Sequence, residues 1–549
     1  MPYLEPGEPN PFDPPENDVA GHDFDAFADF DSGPYVDDEG DVNEQRGRQE
    51  SAAAKLAKLA MGRYTMVKDQ SGHIYAEDSQ RPGIALPLRG AGGVRTELAR
   101  LYYQASGRPA PSAALSDTIA VLEGEGAMKE PRPVFLRHGQ TRAGERVLDL
   151  GTESAEVVVI DARGWHIVSP SPVLFRRSAI TEPMPRPVAG GTLDRFRALL
   201  NCDDEGFRLL VGWMVIAICE NVQSPILSLT GQQGSAKSSA LRMIIDLVDS
   251  SAAPLKSPPR DEDTWAITAN ASAVIGVDNF SVCPPWLSDT LARTVSGDAV
   301  IKRALYSDQD VSVARYRRPV ALTSISPEGL QADVADRLCS IELAPIPASE
   351  RRKESDVLDE FAAIRAETLG ALLDLLVRVE GALPNAIPDE LPRLADAGLR
   401  LYALDEVTGW GTLDSFVESQ EHAAEEVVEA DVFAAAIINF ARERTVFEGT
   451  VSELLRHISP STPPKAWPRN ARAASVRLQR IAPALVHSGV KAEQMPRTNS
   501  ARSWRIVHTP LPGERLCEKC LEPLHPSLPA SITVHATCAE ADDESEPKL

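Results

Sequence analysis

Residues 226–248 read ILSLTGQQGSAKSSALRMIIDLV, and this stretch decides the fold class. An apolar strand at 226–230 leads into a loop with two glycines, and an apolar helix at 240–248 follows. Strand, loop and helix in this order form the phosphate-binding unit of an α/β nucleotide-binding core. The alternative is a chance Gly/Ser loop in front of a helix. The pattern predicts a site for the phosphates of a nucleotide.

The phosphate loop has a residue for each part of the expected site. Glycines let backbone N–H groups turn toward phosphate oxygens, and the helix presents its positive N-terminus to the same anion. We expect Lys237 to reach the β- and γ-phosphates of ATP and Ser238 to bind Mg²⁺. Ala236 stands where glycine is usual, but it adds only a methyl group. The residues expected to bind the nucleotide are Gly231, Gln232, Gln233, Gly234, Ser235, Ala236, Lys237, Ser238 and Ser239.

A second apolar strand, at 273–277, ends in Asp278. An acid at the carboxyl end of such a strand can hold Mg²⁺ through water, so Asp278 is the second expected metal residue. A strand-end cap is the alternative. The next residue, where a glutamate often polarises the attacking water, is Asn279. Because asparagine orients water but cannot accept its proton, we expect either slow hydrolysis or a different base.

Composition predicts several domains in this chain of 549 residues. The net charge of −24 argues against generic nucleic-acid binding, but the charge is segregated: residues 1–45 contain no Lys or Arg, whereas 465–505 contain one acid, Glu493. We expect a multi-domain α/β protein. Its predicted parts are a disordered acidic tail at 1–45, an N-terminal α/β domain at 46–185, the P-loop core at 186–350, a helical region at 351–425, a basic winged-helix-like domain at 426–510, and a zinc-binding segment with an acidic tail at 511–549.

Several segments in order resemble superfamily 3-type helicases of the AAA+ class, and more narrowly the phage and mobile-element primase-helicases of actinobacteria. The resemblance covers about residues 130–510. It implies an ATP- and Mg²⁺-dependent DNA helicase or translocase that assembles as a ring, expected to be a hexamer, with a primase or another replication protein as a possible partner. The segments are 231–239, VDNFS at 277–281, SGDAVIKRALY at 296–306, RRPVALTS at 317–324 and ADRL at 335–338.

The resemblance also implies roles for individual residues. Lys302 and Arg303 fall in a hairpin that grips single-stranded or forked DNA, although an ordinary charged hairpin is the alternative. Thr323 or Ser324 takes the place of the polar sensor at the end of a core strand. Arg337 stands where an arginine finger faces the γ-phosphate of the adjacent subunit. A surface salt bridge is the alternative for Arg337, and Arg317 and Arg318 are further candidates for the finger.

The basic region near the C-terminus has the pattern of a winged helix. Helices are predicted at 432–443, 450–458 and 472–482, followed by a short pair of strands that ends at 506. In such modules the third helix lies in a groove of DNA. We therefore expect that helix to bind nucleic acid through Arg472, Arg477 and Arg480, with docking of a protein as the alternative.

The last forty or so residues contain two short-spaced pairs of potential zinc ligands. Cys517 and Cys520 form the first pair, and His535 and Cys538 form the second. Four protein ligands close a tetrahedral site, so the zinc is expected to be structural and to supply the fold of a segment with almost no core.

Scattered cysteines in apolar surroundings indicate a reducing compartment, and no apolar run is long enough to span a membrane, so we expect a cytoplasmic protein. Two functions remain open. The first is an ATP-hydrolysing DNA helicase or translocase in phage or mobile-element replication. The second is a nucleotide-gated DNA-binding or loader protein with little hydrolysis, which Asn279 keeps open.

Overall fold

A computed structural model describes residues 51–90, 92–303, 311–324, 330–444, 446–464, 467–496 and 503–509. The chain divides into two compact units, Met1–Pro133 and Val134–Leu549. The sequence had placed its boundary later, at 185/186. The predicted acidic tail at 1–45 and the predicted zinc segment at 511–549 lie outside the described residues.

The first unit packs helices on a small antiparallel sheet of order β1-β2-β3. Its core includes Leu56, Leu98 and Leu122, all fully buried. The third helix contains two glycines, which weaken helix propensity, and the sequence did not predict it. The elements are α1 (Ala52–Arg63), β1 (Tyr64–Lys68), β2 (Ile74–Asp78), β3 (Ala85–Pro87), α2 (Val94–Ser106) and α3 (Ser112–Ala127).

The second unit begins with an antiparallel sheet of order β5-β6-β7-β8 and a separate parallel pair, β4 and β9. Strand β7 is buried along Val157, Val158, Val159 and Ile160, so both of its faces are covered. The strands are β4 (Val134–Phe135), β5 (His138–Gln140), β6 (Arg146–Asp149), β7 (Val157–Asp161), β8 (Gly164–Val168) and β9 (Leu174–Phe175).

The centre of the second unit is a parallel sheet of order β11-β14-β10-β15. Because the strands are parallel, their carboxyl ends share one edge, where α/β folds place their ligands. An antiparallel hairpin, β12 with β13, precedes β14. The elements are α4 (Asp194–Arg197), α5 (Asp204–Ala217), β10 (Ile226–Thr230), α6 (Lys237–Val248), α7 (Glu262–Ala271), β11 (Ile275–Val277), α8 (Pro285–Ser296), β12 (Asp298–Arg303), β13 (Val311–Tyr316), β14 (Val320–Thr323), α9 (Ala332–Ala335) and β15 (Leu338–Glu342).

Three long helices follow the parallel sheet, in the region that the sequence predicts to be helical. They are α10 (Glu354–Ala382), α11 (Ala395–Thr408) and α12 (Thr412–Ala430). Helix α10 packs against α5, α6 and strand β7, so it joins the antiparallel sheet to the parallel one. Within the described part of the chain, no helix combines the length and apolar composition needed to cross a bilayer.

The C-terminal module combines three helices with an antiparallel sheet of order β16-β18-β17. The three predicted helices are present, and β16 adds a strand to the predicted pair. Phe433, Leu478 and Trp504 form part of its core. The elements are α13 (Val432–Arg444), β16 (Val446–Thr450), α14 (Val451–Ile458), α15 (Ala471–Leu485), β17 (Val490–Gln494) and β18 (Ser503–His508).

Buried polar contacts fasten the β5–β8 sheet to the carboxyl end of α6. The Nε2 atom of His138, on β5, lies 2.7 Å from the carbonyl oxygen of Val248, the last residue of α6. The neighbouring Arg137 side chain is 1% exposed and forms a 3.1 Å ion pair with Asp249. Burial lowers the pKa of His138 to about 4, although the Asp249 carboxylate opposes that shift. The imidazole is therefore neutral at pH 7.

This buried histidine should make the protein less stable in mild acid. In the unfolded chain its pKa is about 6.5, so between that pH and about 4 only the unfolded state binds the proton. The contribution of His138 is therefore intact above pH 6.5 and is lost as the pH falls toward 4, by at most about 3 kcal/mol. Urea unfolding at pH 7 and pH 4.5 should show a smaller pH effect for His138→Gln than for the wild type.

Two partly buried carboxyl groups change stability in the opposite direction, but they do not affect the comparison between the variant and the wild type. Burial raises the pKa of both Glu220 and Asp246, so their protonation in mild acid favours the folded state. Both groups remain in the variant, so the difference between the two proteins isolates His138. An equal pH effect in the two proteins would contradict the prediction.

Candidate functional site

The loop between β10 and α6 has the backbone shape of an anion cradle. Three of its residues have positive φ: Gly231 at 140°, Gly234 at 87° and Ala236 at 60°. A Cβ atom at Gly231 would lie 2.4 Å from the carbonyl oxygen of Leu343, so no other residue fits there. Successive residues of alternating handedness turn their N–H groups to one side, which produces a concave anion site.

Ala236 adopts a conformation that glycine would adopt without strain. It lies in the left-handed region directly before the first turn of α6. That conformation disfavours an L-residue by about 1 kcal/mol. The sequence predicts that alanine is tolerated because its side chain is small, and the structure adds that the backbone, rather than the methyl group, carries the strain. Strain of this kind often marks functional loops.

Lys237, Ser238, Asp278 and Thr323 come together at the carboxyl edge of the parallel sheet. Lys237 Nζ donates to the carbonyl oxygens of Gly231, at 2.7 Å, and Gln232, at 2.8 Å. Ser238 Oγ donates to Asp278 Oδ1 at 2.8 Å, and Thr323 Oγ1 donates to the same oxygen at 2.6 Å. The second carboxylate oxygen takes part in neither bond. Side chains from the first turn of α6 and from the ends of β11 and β14 thus meet at one point.

The oxygens of this cluster suit a magnesium ion. Mg²⁺ prefers carboxylate, hydroxyl and water ligands, together with phosphate oxygens. Ser238 Oγ and Asp278 supply two such ligands within 2.8 Å of each other. Burial lowers the pKa of Lys237, and the nearby Asp278 carboxylate opposes the shift. The arrangement can therefore hold a cation and a polyphosphate side by side.

The structure separates the two candidates for the polar sensor. Thr323 Oγ1 bonds Asp278 and also accepts from the backbone N–H of Asn279 at 2.9 Å. Ser324 Oγ is buried without a hydrogen-bond partner among the described residues. Thr323 therefore has the geometry of a residue that takes part in the site.

The backbone conformation at position 279 favours asparagine. Its φ is 58°, and asparagine is one of the few side chains that adopts the left-handed region readily. It is exposed beside Asp278. An acid does lie near the loop, since Glu354 Oε1 is 3.4 Å from Ser239 Oγ. Glu354 comes from the first turn of α10, and the sequence analysis did not identify it.

Arg337 lies at the other edge of the sheet. Its carbonyl oxygen accepts from the N–H of Ile226, the first residue of β10, at 2.8 Å. Its guanidinium forms a 2.8 Å ion pair with Asp333. It therefore does not reach the phosphate loop of its own chain, and any contact with a nucleotide has to be made to a neighbouring subunit.

The predicted DNA-binding residues lie in two places. Lys302 and Arg303 end strand β12, paired with Ser312 and Val311 of β13. Residues 304–310, which join the two strands, lie outside the described residues. On helix α15, Arg472 and Arg480 are exposed, whereas Arg477 forms a 2.9 Å ion pair with Asp431 that offsets its charge.

A groove of about 980 Å³ contains none of the phosphate-loop residues. Arg393 is the single Lys or Arg among the lining residues, so the groove is unsuited to binding a phosphate. The acids that line it are Asp336, Asp389, Glu390, Asp405, Asp414, Glu418 and Glu421.

No cluster of three or more His, Cys, Asp and Glu side chains in the described ranges is arranged to hold a metal ion. The expected zinc ligands Cys517, Cys520, His535 and Cys538 lie outside those ranges.

Two adjacent segments match one family of replication proteins. Residues 193–426, which contain the cluster, match the model of the actinomycete integrative conjugative element replication protein. Residues 433–514 match the model of the C-terminal domain of the same replication protein, RepA. These segments are similar to a replication protein. The expectation of a replication protein from an actinobacterial mobile element is confirmed for these two segments, whereas the superfamily 3 helicase type stays a prediction. A comparison with curated proteins gives no match.

Solved structures give weaker likenesses. An apo structure of the NrS-1 C terminal region has a TM-score of 0.35 and 11% identity, and the match covers 83% of this chain and 99% of that one. A second apo structure of that region has a TM-score of 0.35 and 10% identity, over 84% and 100% of the two chains. The JCV helicase, with a bound thiazolopyridine compound, has a TM-score of 0.20 and 12% identity over 43% and 72%. At these TM-scores the likenesses do not determine a function for this chain.

Proposed function

We propose that this chain is an ATP- and Mg²⁺-dependent DNA helicase or translocase that acts in the replication of a phage or mobile element. One observation carries the proposal. Lys237 and the pair Ser238–Asp278 lie at the carboxyl end of β10, beside a loop whose backbone forms an anion cradle. The match to a replication-protein family supplies the biological setting.

Each residue of the cluster has a task in this proposal. The loop amides and Lys237 bind the phosphates, and Lys237 exchanges its bonds with the carbonyl oxygens of Gly231 and Gln232 for bonds with the β- and γ-phosphates. Ser238 and Asp278 hold Mg²⁺, which neutralises charge on the phosphates. Thr323 keeps the Asp278 carboxylate in place through its 2.6 Å hydrogen bond. Asn279 orients the attacking water.

Assembly belongs to the same proposal. Arg337 lies opposite the phosphate loop, so as an arginine finger it acts on the nucleotide of the next subunit. A closed ring of identical subunits supplies such a neighbour for every site. We propose a hexamer of the superfamily 3, AAA+ type, which works with a primase or other replication proteins in the cytoplasm, where the replicating DNA is found.

DNA is bound at two places in this scheme. The hairpin of β12 and β13 grips the strand through Lys302 and Arg303, and the module of α13–α15 binds as a winged helix through Arg472 and Arg480. A third contact, to DNA or to a replication partner, is assigned to the zinc segment, with Cys517, Cys520, His535 and Cys538 as the proposed ligands. Phosphate contacts of this kind are independent of base sequence, as a translocating enzyme requires.

A nucleotide-gated DNA-binding or loader protein is the second candidate, and Asn279 favours it. The side chain beside Asp278 lacks a carboxylate that could accept a proton from water. Such a protein would bind ATP, assemble on DNA and hydrolyse little.

Steady-state phosphate release from ATP, with and without single-stranded DNA, separates the two functions. The helicase predicts magnesium-dependent turnover that DNA stimulates. Tight ATP binding with negligible turnover supports the loader instead. Absence of any affinity for ATP with Mg²⁺ would contradict both.

The hairpin assignment predicts a loss of salt-sensitive DNA binding. Replacing Lys302 and Arg303 together with alanine removes two phosphate contacts. The slope of log K against log salt for single-stranded DNA should therefore flatten by roughly 1.4. Fluorescence anisotropy over a range of salt concentrations measures it. The control pair Lys129→Ala with Arg163→Ala removes the same charge at exposed positions and should leave the slope unchanged. Equal slopes for the two double variants would reject the assignment.

A further inference from the structure

The segment that follows β15 crosses the phosphate loop. The N–H of Leu343 donates to the carbonyl oxygen of Thr230 at 2.9 Å, and the N–H of Ile346 donates to the carbonyl oxygen of Gly234 at 3.3 Å. The carbonyl oxygen of Leu343 also occupies the space that a side chain at Gly231 would need. Residues 343–346 thus follow the loop along its length, and the residues after them lie beside it.

Arg351 is the residue of this segment whose charge reaches the loop. A Cβ atom at Gly234 would lie 3.6 Å from Arg351 Nη2, so the guanidinium lies against the middle of the cradle. Its Nε donates to the carbonyl oxygen of Ile346 at 3.4 Å, which ties the side chain to the crossing segment. The side chain is exposed, so a ligand in the loop has access to it.

The charge of Arg351 is not neutralised by a carboxylate in the described part of the chain. The next residue provides a contrast, because Arg352 Nη2 forms a 2.7 Å ion pair with Glu360. An arginine beside a loop built for anions, held by a carbonyl oxygen and lacking an ion pair, has the fork of N–H donors that binds phosphate oxygens.

We propose that Arg351 is a second phosphate-binding cation of the nucleotide site, supplied by the same chain as the loop. Lys237 contacts the polyphosphate from the first turn of α6, and Arg351 contacts it beside Gly234. The inference rests on the proposed nucleotide site and adds to it a residue that neither the family resemblance nor the phosphate-loop pattern assigns.

The nearby carboxylate of Glu354 indicates which way the nucleotide is oriented in the proposed site. Glu354, three residues after Arg351, lies 3.4 Å from Ser239 Oγ. An anion is repelled by a carboxylate and attracted by a guanidinium, so the polyphosphate lies toward Arg351 and the nucleoside toward Glu354. Since Arg351 and the loop belong to one chain, its effect on affinity does not depend on assembly, in contrast to the effect of Arg337.

Isothermal titration of the full chain with ATP and Mg²⁺ tests the proposal. Arg351→Gln should weaken binding about tenfold, the lower range for a hydrogen bond to a charged group. Arg352→Gln, one residue away and also exposed, should stay within about twofold because its partner is Glu360. Arg351→Lys, which keeps the charge but loses the fork, should recover part of the loss. Equal thermal unfolding temperatures of the variants would show that folding is unchanged.

The outcomes separate this inference from the proposed function. Wild-type affinity in Arg351→Gln, together with lost affinity in Lys237→Ala, would overturn the role of Arg351 and leave the nucleotide site standing. An equal loss of ATP affinity in Arg351→Gln and Arg352→Gln would show that only the total surface charge matters. That result would also overturn the role of Arg351. A wild-type chain without affinity for ATP would remove both proposals.

Discussion

Replacing Lys237 with alanine should lower kcat/KM for ATP hydrolysis by about 100-fold or more. The ammonium group bonds the carbonyl oxygens of Gly231 and Gln232, so it is held against the loop that we propose to bind the phosphates. Alanine removes the positive charge that stabilises the phosphates in both the bound and the transition state. Equilibrium binding of ATP measures the loss of affinity, and phosphate release measures the loss of turnover. Both are measured on the same preparations.

The same helix provides a matched control for Lys237→Ala. Arg242 is exposed on α6, and its replacement with alanine removes an equal charge from that helix. Arg242→Ala should retain turnover within about twofold, since an isolated surface charge contributes little. Wild-type turnover in Lys237→Ala would contradict the assignment of the loop.

Asp278→Asn provides a companion variant with a different signature. Asparagine keeps an oxygen that can accept from Ser238 and Thr323, so the local hydrogen bonds survive. It removes the charge that would hold Mg²⁺ in the proposed site. We therefore expect kcat to fall while the affinity for ATP changes less than it does in Lys237→Ala.

Replacing Arg137 with methionine should reduce the free energy of unfolding by about 3–5 kcal/mol. The buried guanidinium bonds Asp249 Oδ1 and the carbonyl oxygens of Asp149, Glu182 and Ser250, at distances between 2.6 and 3.1 Å. Methionine has a similar length but no donors. The change removes the Arg137 donor from the carbonyl oxygens of Asp149 and Glu182 and from one oxygen of the buried Asp249 carboxylate, whereas the carbonyl oxygen of Ser250 keeps the N–H of Glu182. Unsatisfied buried groups are strongly destabilising.

Urea unfolding followed by tryptophan fluorescence measures this loss in the second unit. All the tryptophans of the chain follow residue 133, namely Trp165, Trp213, Trp265, Trp286, Trp410, Trp467 and Trp504. Arg163→Met is the control, because that side chain is 87% exposed and pairs with Asp161 at the surface. The control should change stability by less than about 1 kcal/mol. Equal decreases in the free energy of unfolding for the two variants would show that the buried Arg137 contacts stabilise the protein no more than a surface ion pair does.

The sequence predicts much of the core because its signals are local. Strand β10, the loop and α6 are contiguous, and the apolar run at 273–277 marks the strand that carries Asp278. Helix α3 escaped prediction because of Gly124 and Gly126. In the structure a Cβ at Gly126 would lie 2.2 Å from a methyl carbon of Ile74, so packing rather than helix propensity selects that glycine.

The remainder depends on contacts between distant residues. Arg137 and Asp249 are 112 positions apart, and no local pattern links them. Arg351 follows a strand end without any motif, and only the fold brings it to Gly234. Thr323 and Ser324 are neighbours in the sequence and both carry a hydroxyl group, so the sequence does not show which of them contacts Asp278. In the structure Thr323 makes that contact, and the Ser324 hydroxyl has no hydrogen-bond partner among the described residues.

Strand β14 links the two ends of the parallel sheet over four residues. Just before it, Arg318 fixes the base of the β12–β13 hairpin by donating to the carbonyl oxygen of Ala269. At its other end, Thr323 bonds Asp278. Four extended residues span about 13 Å. A displacement of the hairpin base would therefore reach the Thr323–Asp278 contact through one extended strand, so coupling between the hairpin and the proposed magnesium site can be internal to each subunit.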